Sequence, residues 1–315
     1  MGLCRHLFLI FPLALLPLAQ ADSIPGNRHV ILFGIDGCRA DALKLAVDNG
    51  SAPNIAALIQ TGAVTWNAYA GGELGTATQQ PTVSGPGWSS VLTGVWHDKH
   101  GVTDNSFRGS RYAESPTFFD VLHDAQPDAS LVSFVSWPPL HEHPLLHAGE
   151  THACTLHTYP EEADPSIEQG LIEETVCSLR QGNPEVLFCY QVGVDLAGHS
   201  KGFSPEVPEY MAAIHLADER IGEVLAAIRA RPGFFRENWL YIVAADHGGN
   251  GTRHGGQTPE ERTIPLIVSG GETPRGLISS AMVPQTCVPA TIFRHLRLQT
   301  TQGWEPNAFP PIAAQ

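Results

Sequence analysis

The chain has 315 residues, of which 43% are hydrophobic and 16% are charged, a composition typical of a globular protein with a sizeable core. Its formal net charge of −14 at pH 7 and the lack of a basic stretch argue against a nucleic-acid partner. The 15 histidines are a first indication of metal sites, although scattered surface histidines would account for most of them.

The first 21 residues have the pattern of a secretory signal peptide. Arg5 supplies the positive charge, Leu7–Leu18 is apolar, and Ala19-Gln20-Ala21 is a small-residue cleavage site. The apolar stretch is short and interrupted by prolines, and no other run approaches the ~18 apolar residues of a membrane span. We therefore expect cleavage before Asp22 and export of the mature chain to the periplasm or the extracellular space.

Predicted strands and helices alternate along the mature chain. Apolar, β-branched runs predict strands at residues 29–35, 62–70, 129–135, 186–194, 239–245 and 263–268. Helical spacing predicts helices after Asp41 and at residues 53–60, 88–92, 116–125, 166–180, 205–230 and 285–297. Loops are predicted at residues 71–80, 96–115 and 137–165. This alternation predicts a single α/β domain with a mostly parallel central sheet and helices on both faces.

A turn rich in proline and glycine, residues 81–87, precedes the helix predicted at residues 88–92. Ser84 is therefore expected near a helix N-terminus, where free N–H groups and the helix dipole favour an anion. A serine in this position is a candidate nucleophile if something removes its proton. The alternative is that Ser84 only caps the helix, which is a common role of loop serines.

Aspartates follow three of the predicted apolar strands. Because ligands gather at the carboxyl ends of parallel strands, these carboxylates are expected to converge on one edge of the sheet. Each has a histidine or a glycine nearby, and another histidine lies in a glycine-rich loop. The set consists of Asp36, Asp195, His199, Asp246, His247 and His254. Three carboxylates and three imidazoles could hold two zinc-like ions; the alternative is that the acids accept hydrogen bonds from loop amides.

These motifs, and their order along the chain, resemble those of the alkaline phosphatase superfamily. They most closely resemble those of its type I phosphodiesterase / nucleotide pyrophosphatase branch. The resemblance extends over residues 29–269. Its matching pieces are Asp36-Gly37, Ser84 before Trp88-Ser-Ser-Val-Leu-Thr-Gly94, His100-Gly101, Asp195-x-x-Gly-His199, Asp246-His247-Gly248 and His254-Gly255. It implies an alkaline phosphatase-like catalytic domain over residues 22–315.

The resemblance also implies roles for the site residues. One zinc ion would be bound by Asp195, His199 and His254. The second would be bound by Asp36, Asp246, His247 and the oxygen of Ser84. Asn105 would hold a phosphate oxygen; its alternative role is that of an ordinary turn asparagine.

The two ions would bind the attacking and the leaving oxygen of an in-line displacement. Bound zinc lowers the pKa of a hydroxyl, so Ser84 could attack as an alkoxide near neutral pH. The amides of the helix at residues 88–92 and the Asn105 side chain would face the developing charge. The predicted activity is zinc-dependent hydrolysis of a small-molecule phosphodiester or nucleotide pyrophosphate through a phosphoserine. Phosphomonoesters and phosphonates pass through similar transition states, so a monoesterase or a phosphonate hydrolase is an alternative.

The sequence departs from this branch in three places. Ser84 stands where threonine is usual, and Gly87 stands where asparagine is usual. Only six residues separate His247 from His254, too few for the capping subdomain that the branch inserts there. We therefore expect a more open site without a large capping subdomain.

Two other classes of function are consistent with parts of the pattern. Sulfatases share the fold and have a serine or cysteine followed by proline and arginine, but Trp88 stands in the place of that arginine. Sulfatases also bind calcium through oxygen ligands, whereas the three histidines favour zinc. The third alternative is a catalytically inactive zinc-binding protein, which the complete ligand set with its hydroxyl nucleophile disfavours.

Overall fold

The computed structural model describes residues 27–143, 155–158, 165–300, 304 and 308–310. The predicted signal peptide, residues 1–21, lies outside the described residues. So do residues 144–154 and 159–164 of the loop predicted at 137–165. Within the described part, no helix combines the length and the apolar character needed to cross a bilayer.

The described strands form one mixed sheet. They are β1 (Arg28–Ile35), β2 (Gly62–Tyr69), β3 (Leu131–Val135), β4 (Thr155–Thr158), β5 (Val186–Gln191), β6 (Asn238–Ala244), β7 (Thr263–Gly270), β8 (Leu277–Ser279) and β9 (Val283–Pro284). Their order is β4-β3-β5-β1-β6-β7-β2-β8, and β9 pairs with β2. Neighbours from β4 to β6 are parallel, while β7 is antiparallel to β6 and β2. The predicted mostly parallel sheet is confirmed.

The described helices are α1 (Ala40–Asp48), α2 (Pro53–Thr61), α3 (Ser84–Thr93), α4 (His97–His100), α5 (Phe118–Ala125), α6 (Pro139–Glu142), α7 (Pro165–Gln181), α8 (Gly193–Lys201), α9 (Pro208–Arg229), α10 (Pro259–Arg262) and α11 (Val288–Leu296). They cover both faces of the sheet. On one face α9 packs against α1, α2, α7 and α8; on the other α3 packs against α4, α5 and α11. The two-faced α/β prediction is confirmed.

Strand β1 lies between β5 and β6 in the middle of the sheet, and its residues from His29 to Ile35 are all buried. A strand covered on both faces needs apolar side chains at successive positions rather than at alternate ones. This explains the continuous run Val-Ile-Leu-Phe. The strand therefore ends at a fixed place in the core and directs Asp36 to the carboxyl edge.

The helix predicted at residues 88–92 begins four residues earlier, at Ser84. Its proline and two glycines do not interrupt it, because Pro86 lies in the first turn, where proline is tolerated. The Gly87 amide already donates to the Val83 carbonyl at 2.8 Å. The loops predicted at residues 96–115 and 137–165 also contain short regular elements, namely α4, α6 and β4.

The strand predicted at residues 186–194 ends at Gln191, and α8 begins at Gly193. The turn between them is fixed by Glu168, a buried residue of α7. Its carboxylate accepts hydrogen bonds from the backbone amides of Val192 at 2.6 Å and Gly193 at 2.9 Å. A carboxylate at a helix N-terminus satisfies free N–H groups and opposes the helix dipole. Asp195 therefore lies in the first turn of a helix, and its predicted place at a strand end was wrong.

Candidate functional site

The three predicted aspartates converge at the carboxyl edge of the sheet. Asp36 directly follows β1, Asp246 follows β6 by two residues, and Asp195 approaches from α8. All three are buried, with 1%, 0% and 6% of their surfaces exposed, respectively. Carboxylates so deep in a protein need strong compensation for the water that they lose.

One group of side chains surrounds the hydroxyl of Ser84. Its oxygen lies 3.2 Å from His247 Nε2 and 3.4 Å from Asp36 Oδ1. His247 Nε2 is also 3.1 Å from Asp246 Oδ2. Asp36, Asp246 and His247 each offer a ligand atom, and these atoms lie within 4.8 Å of one another. The structure thus brings Ser84 to a group that could hold a metal ion.

A second group adjoins the first one. His199 Nε2 lies 2.9 Å from His254 Nε2 and 3.3 Å from Asp195 Oδ2. His254 Nε2 is 3.7 Å from Asp195 Oδ1. His247 links the two groups, because its ligand atom also lies within 4.8 Å of those of Asp195 and His254. All six sequence-predicted carboxylate and imidazole residues are therefore brought together.

Each of the three histidines has its Nδ1 atom fixed by a backbone carbonyl. The distances are 3.0 Å from His199 to Thr252, 2.8 Å from His247 to Gly248 and 2.9 Å from His254 to Thr82. A proton on Nδ1 satisfies these carbonyls and leaves Nε2 as a lone pair directed into the site. Orientation of this kind is a common feature of histidines that bind metals.

Electrostatics also favour a cation at this position. Burial, followed by the charge of Asp195, raises the pKa of Asp36 to about 8. Burial and the charge of Asp36 raise the pKa of Asp246 well above its usual range. Burial lowers the pKa of His247 to about 3, so that this imidazole stays neutral. Three close carboxyl groups cannot all ionise at little cost unless positive charge is placed between them.

Two carboxylate oxygens at the site are left without a hydrogen-bond donor among the described residues: Asp195 Oδ1 and Asp246 Oδ2. The nearest imidazole nitrogens present lone pairs to them, because the histidine protons are used on the backbone carbonyls. A buried oxygen without a hydrogen-bond donor costs free energy. A metal ion placed between a carboxylate oxygen and an imidazole nitrogen would accept the lone pairs of both. The donor set of oxygen and imidazole nitrogen fits zinc.

Asn105 approaches the start of α3 from a separate loop. Its Oδ1 atom accepts a hydrogen bond from the Gly85 amide at 2.7 Å, so the amide nitrogen of Asn105 is the atom left to donate to an anion. The amides of residues 88–92, by contrast, lie inside the helix and not at its N-terminus. Their predicted contact with the phosphoryl group was wrong for this reason.

Trp88 and Tyr190 are the site residues that sequence reasoning did not assign to the metal centre. The indole nitrogen of Trp88 donates to Asp36 Oδ2 at 2.9 Å, and the Tyr190 hydroxyl donates to the same oxygen. Asp36 Oδ1 remains directed toward Ser84 and His247. The signal for Trp88 was its position four residues after Ser84; Tyr190 is one of several apolar and aromatic residues in β5, and nothing in the sequence distinguishes it.

Two further motif residues have structural explanations. Gly87 packs against Asp246, and a Cβ atom at position 87 would lie 2.8 Å from Asp246 Cβ; this explains the absence of a side chain there. His100 is buried away from the two groups, within 3.0 Å of Ser90 Oγ, and its Nδ1 accepts from the Val102 amide. His100 therefore supports α3 instead of binding metal.

Comparisons with known proteins identify the family and the fold of this chain. The family model "Type I phosphodiesterase / nucleotide pyrophosphatase" matches residues 30–261. GPI ethanolamine phosphate transferase 1 of Aspergillus oryzae is 25% identical over 284 residues, which cover 81% of this chain and 26% of the relative. The chain thus spans about a quarter of the length of the first curated relatives that it matches.

Solved structures share the fold at low sequence identity. A 2-O GAG sulfatase superposes with a TM-score of 0.69 and 14% identity, over 90% of this chain and 73% of that one. A phosphonate monoester hydrolase from Silicibacter pomeroyi superposes with a TM-score of 0.64 and 16% identity, over 90% and 76%. At such identities these likenesses concern the fold alone.

Proposed function

The chain belongs to the type I phosphodiesterase / nucleotide pyrophosphatase family, and from this premise we propose that it is a zinc-dependent hydrolase of phosphodiesters or nucleotide pyrophosphates. Membership confirms the resemblance predicted from the motifs. The fold is alkaline phosphatase-like, as in the sulfatase and phosphonate hydrolase neighbours. Family and fold together indicate an enzyme that acts on phosphate or sulfate esters by hydrolysis or group transfer.

The observation that carries the proposal is the position of the Ser84 hydroxyl. It lies within 3.4 Å of Asp36 and His247, two members of one metal-capable group, and the second group adjoins it. A helix cap would not require buried carboxylates and imidazoles around its hydroxyl. A nucleophile does, because its proton must be lost near neutral pH.

We assign Asp36, Asp246, His247 and Ser84 to one zinc ion and Asp195, His199 and His254 to the other. Bound zinc would lower the pKa of the serine hydroxyl and neutralise charge on the phosphoryl oxygens. Asp36, Asp246 and the three histidines hold that charge in a fixed place, since each has one side-chain atom hydrogen-bonded to the surrounding protein. Asn105 donates its amide N–H to a non-bridging phosphoryl oxygen.

The reaction proceeds in two displacements at phosphorus. The Ser84 oxygen forms a bond to phosphorus as the bond to the leaving-group oxygen breaks; the serine proton passes to water, and an alkoxide leaving group takes up a proton from water. Water then attacks the phosphoserine, cleaves the serine-oxygen-to-phosphorus bond and restores the hydroxyl. The products are the free alcohol or nucleotide and the released phosphate or phosphate ester.

Metal analysis and a substrate panel test this proposal. The mature protein, purified without added metal, is expected to contain two zinc ions per chain and to hydrolyse bis-nitrophenyl phosphate faster than nitrophenyl phosphate. Chelation should abolish both activities, and zinc should restore them. An active protein that contains only calcium, or no metal, would exclude the zinc assignment. Faster hydrolysis of nitrophenyl phosphate or of a nitrophenyl phosphonate would favour the monoesterase or the phosphonate hydrolase.

Phosphoryl-group transfer is a second candidate function. The curated relatives that cover about four fifths of this chain are named GPI ethanolamine phosphate transferase 1. Transfer would use the same serine ester but deliver the group to an alcohol in place of water. Product analysis in the presence of ethanolamine or a sugar alcohol separates the two outcomes: transfer yields a new phosphodiester, whereas hydrolysis yields only the released phosphate species.

Sulfate-ester hydrolysis and an inactive zinc-binding protein are tested in the same panel. The sulfatase pattern implies oxidation of its serine or cysteine to formylglycine, a step for which the arginine is needed. Trp88 stands in place of that arginine, so Ser84 is expected to remain an unmodified serine and nitrophenyl sulfate to remain intact. An intact mass that corresponds to formylglycine at position 84 would favour the sulfatase. Zinc binding without turnover of any ester would favour the inactive protein.

We also propose that the protein is exported after cleavage before Asp22 and acts without a large capping subdomain. The sequence pattern of residues 1–21 supports the first part, and the six residues between His247 and His254 support the second. N-terminal sequencing of the secreted or periplasmic form tests the cleavage site. A mature protein that retains residues 1–21 would contradict it.

A further inference from the structure

A cavity of about 350 Å³ lies between α8 and α9, on the side of α8 away from the active-site cluster. Its volume falls within the range of small-molecule sites, roughly 300–1,000 Å³. The lining residues of α9 extend from Glu209 to Arg220, which corresponds to a groove about 16 Å long. The site is therefore elongated and separate from the cluster around Ser84.

The walls of this cavity are apolar, and several of their side chains are small. Helix α8 contributes Val194, Leu196 and Ala197; helix α9 contributes Ala212, Ala213, Leu216 and Ala217. The charged residues Lys201 and Glu209 are exposed at one end. Walls of this kind fit an unbranched aliphatic chain, which gains free energy as its surface leaves water.

The other end of the cavity is polar, and one of its groups lacks partners. Glu168 is fully used, since it accepts from Ser136, Val192 and Gly193 and pairs with Arg220. The side chain of Gln191, in contrast, is only 1% exposed and has no hydrogen bonds: among the described residues neither its Oε1 nor its Nε2 atom has a partner. Buried amides are normally satisfied, so these two atoms call for a ligand.

Strand geometry explains why Gln191 is directed to this side. Successive side chains of a strand point to opposite faces of the sheet. Tyr190 points to the face of α3, where it donates to Asp36, and Gln191 therefore points to the face of α8 and α9. The amide is thus presented to the cavity by the same strand end that supports the active site on the other face.

We propose that this cavity binds a medium-length aliphatic molecule whose neutral head group both donates and accepts hydrogen bonds, such as a primary amide. The head lies on Gln191, because a tail at that position would leave the glutamine amide unsatisfied. A carboxylate fits less well, because Arg220 is already paired with Glu168, whereas the Gln191 amide offers both a donor and an acceptor to the head group. The chain lies along the alanine-rich face of α9 and extends toward Lys201 and Glu209.

Calorimetric titration of the full-length mature protein with octanamide tests this proposal. Wild type is expected to bind it. Ala213→Leu, which fills the groove, should abolish binding. Gln191→Leu should weaken binding roughly tenfold or more, because a buried amide of the ligand then loses its partner. Gln60→Leu makes the same change at an exposed position of α2 and should bind as wild type does.

A second ligand keeps the test independent of variant folding. N,N-dimethyloctanamide retains the chain and the carbonyl but cannot donate, so it should bind wild type more weakly than octanamide does. No octanamide binding to wild type, or equal binding by wild type and Gln191→Leu, would overturn the proposal. So would equal binding by wild type and Ala213→Leu, since the ligand would then lie elsewhere.

Discussion

At the residue scale, the chemistry of the cluster depends on which atoms of each side chain are already bonded to the protein. The Nδ1 atoms of His199, His247 and His254 are held by backbone carbonyls. Asp36 has one oxygen held by Trp88 and Tyr190. The remaining atoms face one another across a few ångströms, and this arrangement favours a cation over water.

Removal of the Ser84 hydroxyl should stop turnover and leave the fold intact. Ser84→Ala deletes one oxygen, and the N-cap residue of α3 is Val83, so no capping hydroxyl is lost. We expect turnover to fall by roughly a thousandfold or more, with zinc content close to that of wild type. Ser84→Thr supplies the same hydroxyl and should retain appreciable activity. Mass spectrometry of trapped wild type should find the phosphoryl group on residue 84; a group on Ser89 or Ser90 would contradict the assignment.

Asn105 has two functions that a pair of variants can separate. Asn105→Ala removes both the acceptor for the Gly85 amide and the proposed donor to phosphate, and should lower kcat by about a hundredfold. Asn105→Asp keeps an acceptor for the Gly85 amide but has no N–H to donate. This variant should therefore retain the melting temperature of wild type but lose as much activity as Asn105→Ala does. Full activity in Asn105→Asp would show that Asn105 only supports the helix.

The Tyr190 hydroxyl should act on metal binding through Asp36. Tyr190→Phe keeps the ring and removes one donor to Asp36 Oδ2. Loss of such a supporting hydrogen bond typically weakens metal affinity by ~10–100-fold. Zinc titration measures the effect. Tyr112→Phe removes another buried hydroxyl, bonded to Ser89, and should leave zinc affinity unchanged; an equal loss in both variants would indicate a general packing effect.

At the element scale, helix α8 brings two of the proposed ligands to the cluster. Asp195 and His199 are four residues apart and therefore lie on the same side of the helix. Helix α8 packs closely against the turn between β1 and α1. The distances show this: a Cβ atom added at Gly37 would lie 2.5 Å from Asp195 Oδ1 and 3.0 Å from Asp195 Cα. A glycine at this position lets α8 approach the turn that follows Asp36.

Gly37→Ala should therefore separate α8 from this turn. The residue has φ of +64°, so alanine adds roughly 1–2 kcal/mol of backbone strain as well as the clash with Asp195. We expect a lower melting temperature and fewer than two bound zinc ions per chain. Gly50→Ala is the matched control, with φ of +82° and no atom within 4 Å of its added Cβ. It should share the strain and keep both ions; equal zinc content in the two variants would contradict the close approach.

At the scale of the whole molecule, the sheet brings three carboxyl groups to one edge of a chain whose net charge is already −14. The proposed ions would add positive charge at this edge, which an anionic phosphate ester requires for binding. Other titratable groups are buried far from that edge. His295 of α11 is 6% exposed and lies near the carbonyls of His29 and Asn238.

His295 should contribute to acid sensitivity. Burial, followed by the charge of Arg28, lowers its pKa to about 4. Between the ordinary histidine pKa of 6.5 and about 4, the unfolded chain binds a proton that the folded chain does not, so stability falls as pH falls through this range. His295→Gln removes this contribution and should reduce the drop in melting temperature between pH 7 and pH 4.5 by roughly several degrees.

The melting curves should be measured in chelator, so that metal loss does not contribute to the pH dependence. His215→Gln makes the same substitution at an exposed position of α9; an equal reduction of the drop in both variants would show that the effect does not come from the burial of His295. An unchanged drop in His295→Gln would mean that His295 takes up its proton in the folded state as readily as in the unfolded one.

Local pattern and side-chain chemistry were enough to predict several features of this protein. The apolar run of β1 predicted a central strand, because only a strand buried on both faces needs apolar side chains at successive positions. The alternation of strands and helices predicted the two-faced fold. The identities of the carboxylates and histidines predicted the donor set that the structure brings together.

Features that depend on residues far apart in the chain became visible only in the folded protein. Glu168 ends β5 and starts α8 through hydrogen bonds to Val192 and Gly193, so Asp195 comes from a helix and not from a strand end. Asp36 is oriented by Tyr190, 154 residues away in the chain. Contacts over such separations leave no periodic signal in the sequence, because they depend on how packed elements meet. The same is true of Gln191, whose lack of a hydrogen-bond partner among the described residues is visible only in the folded structure.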